Sequence, residues 1–352
     1  MRIILVAGAR PNFVKLSPLY YALKSRGIGP VVIHTGQHYD YELSQAFFED
    51  FNLPEPDHYF GVGSDTNLRQ ISKIIAKAED VLRALNPDVV VVFGDVNSTL
   101  ALAVASKHLH LKLAHVEAGL RSRDWSMPEE INRITTDALS DLLFSPSYDA
   151  TENLLAEGKP PESIFTVGNI MIDSLMRVRP RAESLRYWEN LGLRERGYIL
   201  ATLHRPVNVD DPERLGRILK VLDRINERYP VVLPMHPRTR KNVERWNLRT
   251  SVRVIKPLRY THFLSLMLGS GLVITDSGGV QEETSFLGIP CITLRPNTER
   301  PITLELGTNV LLKEPEGLPE LVEERFGRIT ETSIPLWDGR TAERIARILL
   351  NP

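Results

Sequence analysis

Short runs in which apolar residues fill consecutive positions alternate with longer amphipathic stretches, and the alternation is completed twice along the chain. Ile3–Ala7 is the first such run, followed by residues 31–33, Val89–Phe93, Leu113–Val116 and residues 142–144. A strand with one wet face would alternate apolar with polar, so consecutive apolar positions predict strands buried on both faces. Helical patterns such as residues 99–108 and 149–157 lie between them. A second series comprises residues 198–203, 231–235, 252–255, Leu272–Thr275 and residues 291–294, again with helices between, such as residues 212–228. Strand then helix, repeated, predicts a parallel sheet covered by helices on both sides. Two series in 352 residues predict two doubly wound α/β domains. The first is read as residues 1–168, joined by an amphipathic C-terminal helix within 338–352. The second is read as residues 169–337.

Composition narrows the function. The chain is 42% hydrophobic and 25% charged, the profile of a globular protein with real cores. Its formal net charge of -1 gives no global field for nucleic acid or an anionic membrane, so any anion must be recognised locally. The single cysteine, Cys291, excludes an intrachain disulfide and reads as a buried, inert thiol. No segment approaches the roughly 20 apolar residues of a membrane span, and residues 3–7 are too short for a signal core, so the expected location is cytoplasmic. No histidine pair has metal-ligand helical spacing, and no metal site is predicted. The sequence lacks G-x-G-x-x-G after its first strand, G-x-x-x-x-G-K-[ST] and G-x-S-x-G. That disfavours a nicotinamide enzyme, a P-loop ATPase and a serine hydrolase of the elbow type.

In open parallel sheets, ligands bind beyond the carboxyl ends of the strands. Gly8, Arg10 and Lys15 follow the first predicted strand, Gly94 and Asp95 the third, and Glu117 the fourth. Asp95 serves equally as a helix cap or as a functional carboxylate. Glu117, between an apolar strand and Ala118-Gly119, has little structural reason to be there. Glu129 and Glu130 open a helix, where carboxylates suit the dipole, and one of the two is expected to act in the site. In the second half, His204-Arg205 and His236 end strands, and Asp276-Ser277-Gly278-Gly279 forms a strand-to-helix turn. The amides of that turn suit a diphosphate, and Glu282 or Glu283 one turn on suits ribose hydroxyls.

These segments resemble the non-hydrolysing UDP-N-acetylglucosamine 2-epimerase family. The matching motifs are Gly8-Ala-Arg-Pro11 with Lys15, Thr35-Gly-Gln-His38, Gly94-Asp95, His115-Val-Glu-Ala-Gly-Leu-Arg121 and Pro128-Glu-Glu-Ile-Asn-Arg133. His204-Arg205, Thr275-Asp-Ser-Gly-Gly-Val-Gln-Glu-Glu283 and Thr298-Glu-Arg-Pro301 continue them, in family order over nearly the whole chain. The resemblance implies two Rossmann-like domains in a glycosyltransferase-B arrangement, a homodimer, and no metal or redox cofactor. It implies reversible conversion of UDP-N-acetylglucosamine to UDP-N-acetylmannosamine by elimination and re-addition of UDP through a glycal. It assigns Asp95, Glu117, Glu130 and His204 to catalysis. Arg10, Lys15, Ser277, Gly278, Gly279 and Arg300 are assigned to the diphosphate sugar, Glu283 to the ribose and Phe263 to the uracil.

The chain departs from the commoner family pattern at Ala9, Asn12, Leu258 and Pro206-Val207-Asn208, and in a longer segment after Gln37-His38. The last departure argues against regulation by the enzyme's own substrate. Ala9, Asn12 and Met127-Pro128 resemble relatives acting on UDP-2,3-diacetamido-uronates, whereas Arg300-Pro301 leans to the simple N-acetylhexosamine. Three rivals remain open: a glycosyltransferase of the same fold, a hydrolysing epimerase and a non-catalytic sugar-nucleotide sensor.

Overall fold

Thirteen strands, all paired in parallel, organise the described residues into two sheets. The computed structural model describes residues 1–37 and 48–351, apart from the side chains of Arg10 and Pro11. The described chain divides into one unit of Met1–Met176 with Pro335–Pro352 and a second of Arg177–Ile334.

The first unit holds β1 (Ile3–Ala7), β2 (Val31–His34), β3 (His58–Tyr59), β4 (Val89–Phe93), β5 (Leu113–Val116), β6 (Leu142–Ser145) and β7 (Ile164–Thr166). Their order is β3-β2-β1-β4-β5-β6-β7. The second unit holds β8 (Ile199–Thr202), β9 (Val231–Pro234), β10 (Arg253–Ile255), β11 (Leu272–Thr275), β12 (Cys291–Thr293) and β13 (Asn309–Leu311), in the order β10-β9-β8-β11-β12-β13. Both are doubly wound α/β sheets, as the sequence predicts.

Both faces of the central strands are covered, which is why apolar residues fill consecutive positions in them. In the second sheet, Ile199, Ala201, Leu233 and Ile274 enter one core, and Leu200, Val232 and Val273 enter the opposite one. Each such side chain contributes about 1.5–3 kcal/mol by leaving water. Cys291 lies inside, fully buried, and burial pushes its thiol up to about 11, as expected of an inert core residue.

The last helix, Thr341–Leu350, packs on the first helix, Arg10–Lys24, and buries Ile345, Ala346 and Leu349. The backbone N–H groups of Thr341 and Ala342 donate to the Asp173 carboxylate at 3.2 and 2.7 Å. Burial raises Asp173 to about 6 despite those two bonds. Gly168, at φ 92°, lets the chain pass Leu336, because a Cβ there would lie 2.1 Å from the Leu336 carbonyl oxygen.

In each sheet the winding direction reverses at one point: between β1 and β4, and between β8 and β11. The carboxyl ends of strands beside such a switch point are where open α/β sheets place ligands. Every strand-end residue singled out in the sequence, Gly8, Asp95, Glu117, His204 and Ser277 among them, follows a strand at or next to a switch point.

Candidate active site

After β1 the chain turns at Gly8, where a Cβ would collide with Ser98 Oγ at 1.9 Å. Asn12 fixes this turn: its Oδ1 accepts from the Gly8 and Ala9 amides at 3.0 and 3.1 Å, and its Nδ2 donates to Phe93 O at 2.9 Å. One amide side chain thus ties the end of β1 to the end of β4. Gln37 adds a second tie, its Oε1 accepting from the amide and hydroxyl of Ser98 at 3.1 and 2.8 Å.

Lys15 lies one turn into the first helix and is buried. Its ammonium pairs with the Glu117 carboxylate. Gly94, at φ 62°, opens the space for this pair, since a Cβ there would stand 2.8 Å from Lys15 Nζ. Glu117 itself has φ 76°. A bulky residue in the left-handed region costs on the order of 1–3 kcal/mol and persists where the surroundings over-determine it. Here the amides of Glu117 and Ala118 both donate to Phe144 O at 3.0 Å. The strain aims a buried carboxylate at the strand ends.

Asp95 follows β4 and is a quarter exposed at its side chain, which accepts from Arg133 at 2.7 Å. Arg133 is buried and also bonds Glu130 at 2.5 Å. Glu130 is fully buried, and its oxygens also accept from the Ser122 and Arg123 amides at 3.0 and 2.7 Å. These bonds close the loop after β5 onto the helix Pro128–Leu139. The two oxygens of Glu130 thus serve three donors, and none of its surface reaches solvent. Glu129, beside it, is half-buried.

The second unit builds a different set. Asp276, at the end of β11, is fully buried and accepts from His204 N, Arg205 N and Asn208 Nδ2 at 2.9–3.1 Å. Its Oδ1 also lies 2.9 Å from His204 Nδ1. Burial alone would raise the Asp276 carboxyl, but the charge of His204 and these hydrogen bonds hold it below the usual carboxylate range. With Nδ1 on Asp276, His204 turns Nε2 outward from a side chain that is 36% exposed. The His236 ring stands 5.7 Å from it.

Ser277 and Gly278 begin the helix Gly278–Leu287, and the Ser277 side chain does not cap it. Arg300 lies directly against this turn: a Cβ on Gly278 would meet Arg300 Nη1 at 2.4 Å and Glu299 Oε1 at 2.9 Å. Arg300 is buried and pairs with Glu282 at 2.8 Å and with Glu299. It is therefore built into the floor of the turn. Glu283 is buried and accepts from the Tyr260 hydroxyl at 2.7 Å. Burial and the nearby Glu282 raise Glu283 to about 7 against the lowering effect of the Tyr260 bond. Among the described residues, no three His, Cys, Asp or Glu side chains gather as a metal site.

The sequence profile described as UDP-N-acetylglucosamine 2-epimerase matches residues 22–350. The chain belongs to the UDP-N-acetylglucosamine 2-epimerase family. Its members are isomerases, so the fold carries an enzyme rather than a passive binding module. The UDP-N-acetylglucosamine 2-epimerase of Methanocaldococcus jannaschii is 42% identical, with 99% of each chain covered. The UDP-2,3-diacetamido-2,3-dideoxy-D-glucuronate 2-epimerase of Pseudomonas aeruginosa is also 42% identical over 99% of each chain. The crystal structure of the M. jannaschii epimerase in complex with UDP-GlcNAc and UDP matches with a TM-score of 0.94 over 100% of both chains. That of Neisseria meningitidis UDP-GlcNAc 2-epimerase bound to UDP-GlcNAc matches at 0.91, with 29% identity over 100% of both chains.

Within this epimerase-family chain, the first unit gathers Lys15, Asp95 and Glu117, and the second gathers His204, Ser277, Gly278, Gly279, Glu283 and Arg300. The side chain of Arg10, and His38 of the Thr35-Gly-Gln-His38 motif, lie outside the described residues. Phe263 is partly buried and packs on the core that contains Tyr198 and Leu200. The sequence placed Asp276 in the phosphate turn but gave no sign of its hold on His204.

Proposed function

We propose that this enzyme inverts carbon 2 of UDP-N-acetylglucosamine to give UDP-N-acetylmannosamine, without hydrolysis. The observation that carries the reading is that two carboxylates, Asp95 and Glu117, stand on the ends of the adjacent strands β4 and β5 of one unit, each beside a buried cation. A carboxylate removes the proton from carbon 2, the electron pair forms the C1–C2 double bond, and the C1–O bond to the diphosphate breaks. UDP and the unsaturated sugar result. Re-addition returns a proton to the opposite face of carbon 2 and a phosphate oxygen to carbon 1, so atoms and electrons balance. Two faces require an acid and a base.

Glu117, with Lys15 offsetting its charge, supplies one proton-transfer group and Asp95 the other. Glu130 positions the loop 122–123 and Arg133, and Glu129 is the neighbouring carboxylate with surface left for a ligand. His204 donates from Nε2 to the departing diphosphate, held in that orientation by Asp276. The Ser277-Gly278-Gly279 amides hold the phosphates where negative charge develops. Glu283 accepts from ribose hydroxyls, and Phe263 lies toward the base. The reading includes no metal or redox cofactor, a homodimer and a cytoplasmic location. No helix among the described residues is long and apolar enough to cross a membrane.

A second reading, a 2-epimerase of a UDP-2,3-diacetamido-uronate, is favoured by the equal identity of the P. aeruginosa relative and by Asn12, whose amide ties the β1 turn. Turnover of both sugars, followed by chromatography, separates the two. The Glu117→Gln variant is expected to keep UDP affinity and lose turnover of the preferred sugar. Full activity in that variant would remove Glu117 from the mechanism.

A further inference from the structure

Beneath the two carboxylates lies a buried His–Asp pair to which the proposed reaction gives no chemical step. His115, on β5, and Asp137, on the helix Pro128–Leu139, are both fully buried. His115 Nε2 lies 2.8 Å from Gly94 O, and Nδ1 lies 2.6 Å from Asp137 Oδ1. A carbonyl oxygen can only accept, so Nε2 carries a hydrogen and donates it to Gly94. Asp137 Oδ2 accepts from the Gly119 amide at 3.0 Å and from Arg121 at 2.8 Å. Arg121 in turn grips Glu157 through two bonds of 2.7 Å. Burial alone would raise the Asp137 carboxyl, but His115, Arg121 and the Gly119 amide hold it below the usual carboxylate range.

We propose that His115 and Asp137 are positioning residues that lock the turns carrying Asp95 and Glu117 into one fixed relation. This rests on the reading that those carboxylates act on carbon 2. The geometry favours a positioning role over mere filling. Gly94 immediately precedes Asp95, and its peptide is pinned from both sides: its amide donates to Val116 O at 3.0 Å and its carbonyl accepts from His115. Gly119 closes the turn that begins at Glu117, and its amide is held by the same Asp137. Gly94, Glu117 and Gly119 all have positive φ, at 62°, 76° and 85°. At Glu117 such a conformation persists only where the surroundings over-determine it, whereas the two glycines adopt it freely. One His–Asp pair reaches both turns. A buried charged network is a poor device for stability alone, since apolar residues of similar volume often serve as well or better.

The test compares wild type with Asp137→Asn, which keeps the shape and removes the charge, and with His115→Gln, which cannot bridge both partners. In each variant kcat is expected to fall on the order of 100-fold, because a displacement of about 1 Å in a reacting group costs that much. UDP affinity should stay within about two-fold, since the pair acts on the proton-transfer groups and not on ground-state nucleotide binding. Amide hydrogen exchange at residues 94–97 and 117–119 reads the clamp without any substrate. It is expected to accelerate in both variants while the rest of the sheet is unchanged. Unchanged exchange in these turns would overturn the inference, and so would accelerated exchange with wild-type kcat. A wild type that epimerises no UDP-sugar would defeat the functional reading alone, with exchange still deciding whether the pair clamps the turns.

Discussion

Glu283→Gln is expected to remove most of the pH dependence of stability around the nucleotide turn. Glu283 is buried, accepts from Tyr260 and is raised from 4.5 to about 7, chiefly by burial. A carboxyl whose folded value is raised contributes stability that is fully present below pH 4.5 and is lost as pH rises through 7. The interval from 4.5 to about 7 corresponds to about 3 kcal/mol when fully developed. Between pH 5 and pH 8 the wild type should therefore lose roughly 2–3 kcal/mol from this one group. Glutamine keeps the volume and can still accept from Tyr260, but it does not titrate. It leaves a buried amide hydrogen to be satisfied, so the variant carries a constant offset on the order of 1 kcal/mol. The test is thus the slope against pH rather than the value at any one pH. Amide exchange across Gly278–Leu287, corrected for the pH dependence of the chemical step, measures it. Parallel curves for wild type and variant would refute the reasoning, because they would mean that Glu283 is not held neutral by burial in the ligand-free protein.

Two further perturbations probe the site. Lys15→Met should lower turnover on the order of 100-fold and leave UDP affinity within about two-fold, because Lys15 sits on Glu117 rather than on the nucleotide turn; calorimetric titration with UDP beside a turnover assay would reveal a phosphate role if affinity fell and turnover held. Gly278→Ala should lower stability by about 1–3 kcal/mol, measured by urea unfolding, and weaken UDP binding, because its Cβ would meet Arg300 2.4 Å away in a side chain fixed by two carboxylates; a more stable variant would mean that helix propensity outweighs the clash.

The central strands were legible because burial on both faces writes itself as consecutive apolar positions. Three of the four outermost strands were not, β10 being the exception. β3 is His58–Tyr59, β7 is Ile164–Thr166 with every residue only half-buried, and β13 is Asn309–Leu311. Each lies at a sheet edge, where one neighbour suffices and no apolar run is needed. Strand-end chemistry was legible for the same reason as the core: a polar residue after an apolar run stands out, as Asp95, Glu117 and His204 do. What a carboxylate does there was not legible. Glu129 and Glu130 are adjacent in sequence, and only the fold shows Glu130 spent on Arg133 and two backbone amides. The sequence points Lys15 to the diphosphate, and only the helix Arg10–Lys24 reveals its pairing with Glu117. The hold of Asp276 on His204 was hidden by its own neighbours, since Ser277-Gly278-Gly279 drew the reading toward phosphate.

Proton NMR of UDP-N-acetylglucosamine incubated with the enzyme in deuterated water tests the central claim most directly. The account predicts growth of UDP-N-acetylmannosamine, deuterium at carbon 2 in both epimers, and no free sugar. Epimerisation with the original hydrogen retained at carbon 2 would contradict proton abstraction by a carboxylate. Free N-acetylmannosamine with UDP would contradict the non-hydrolysing course.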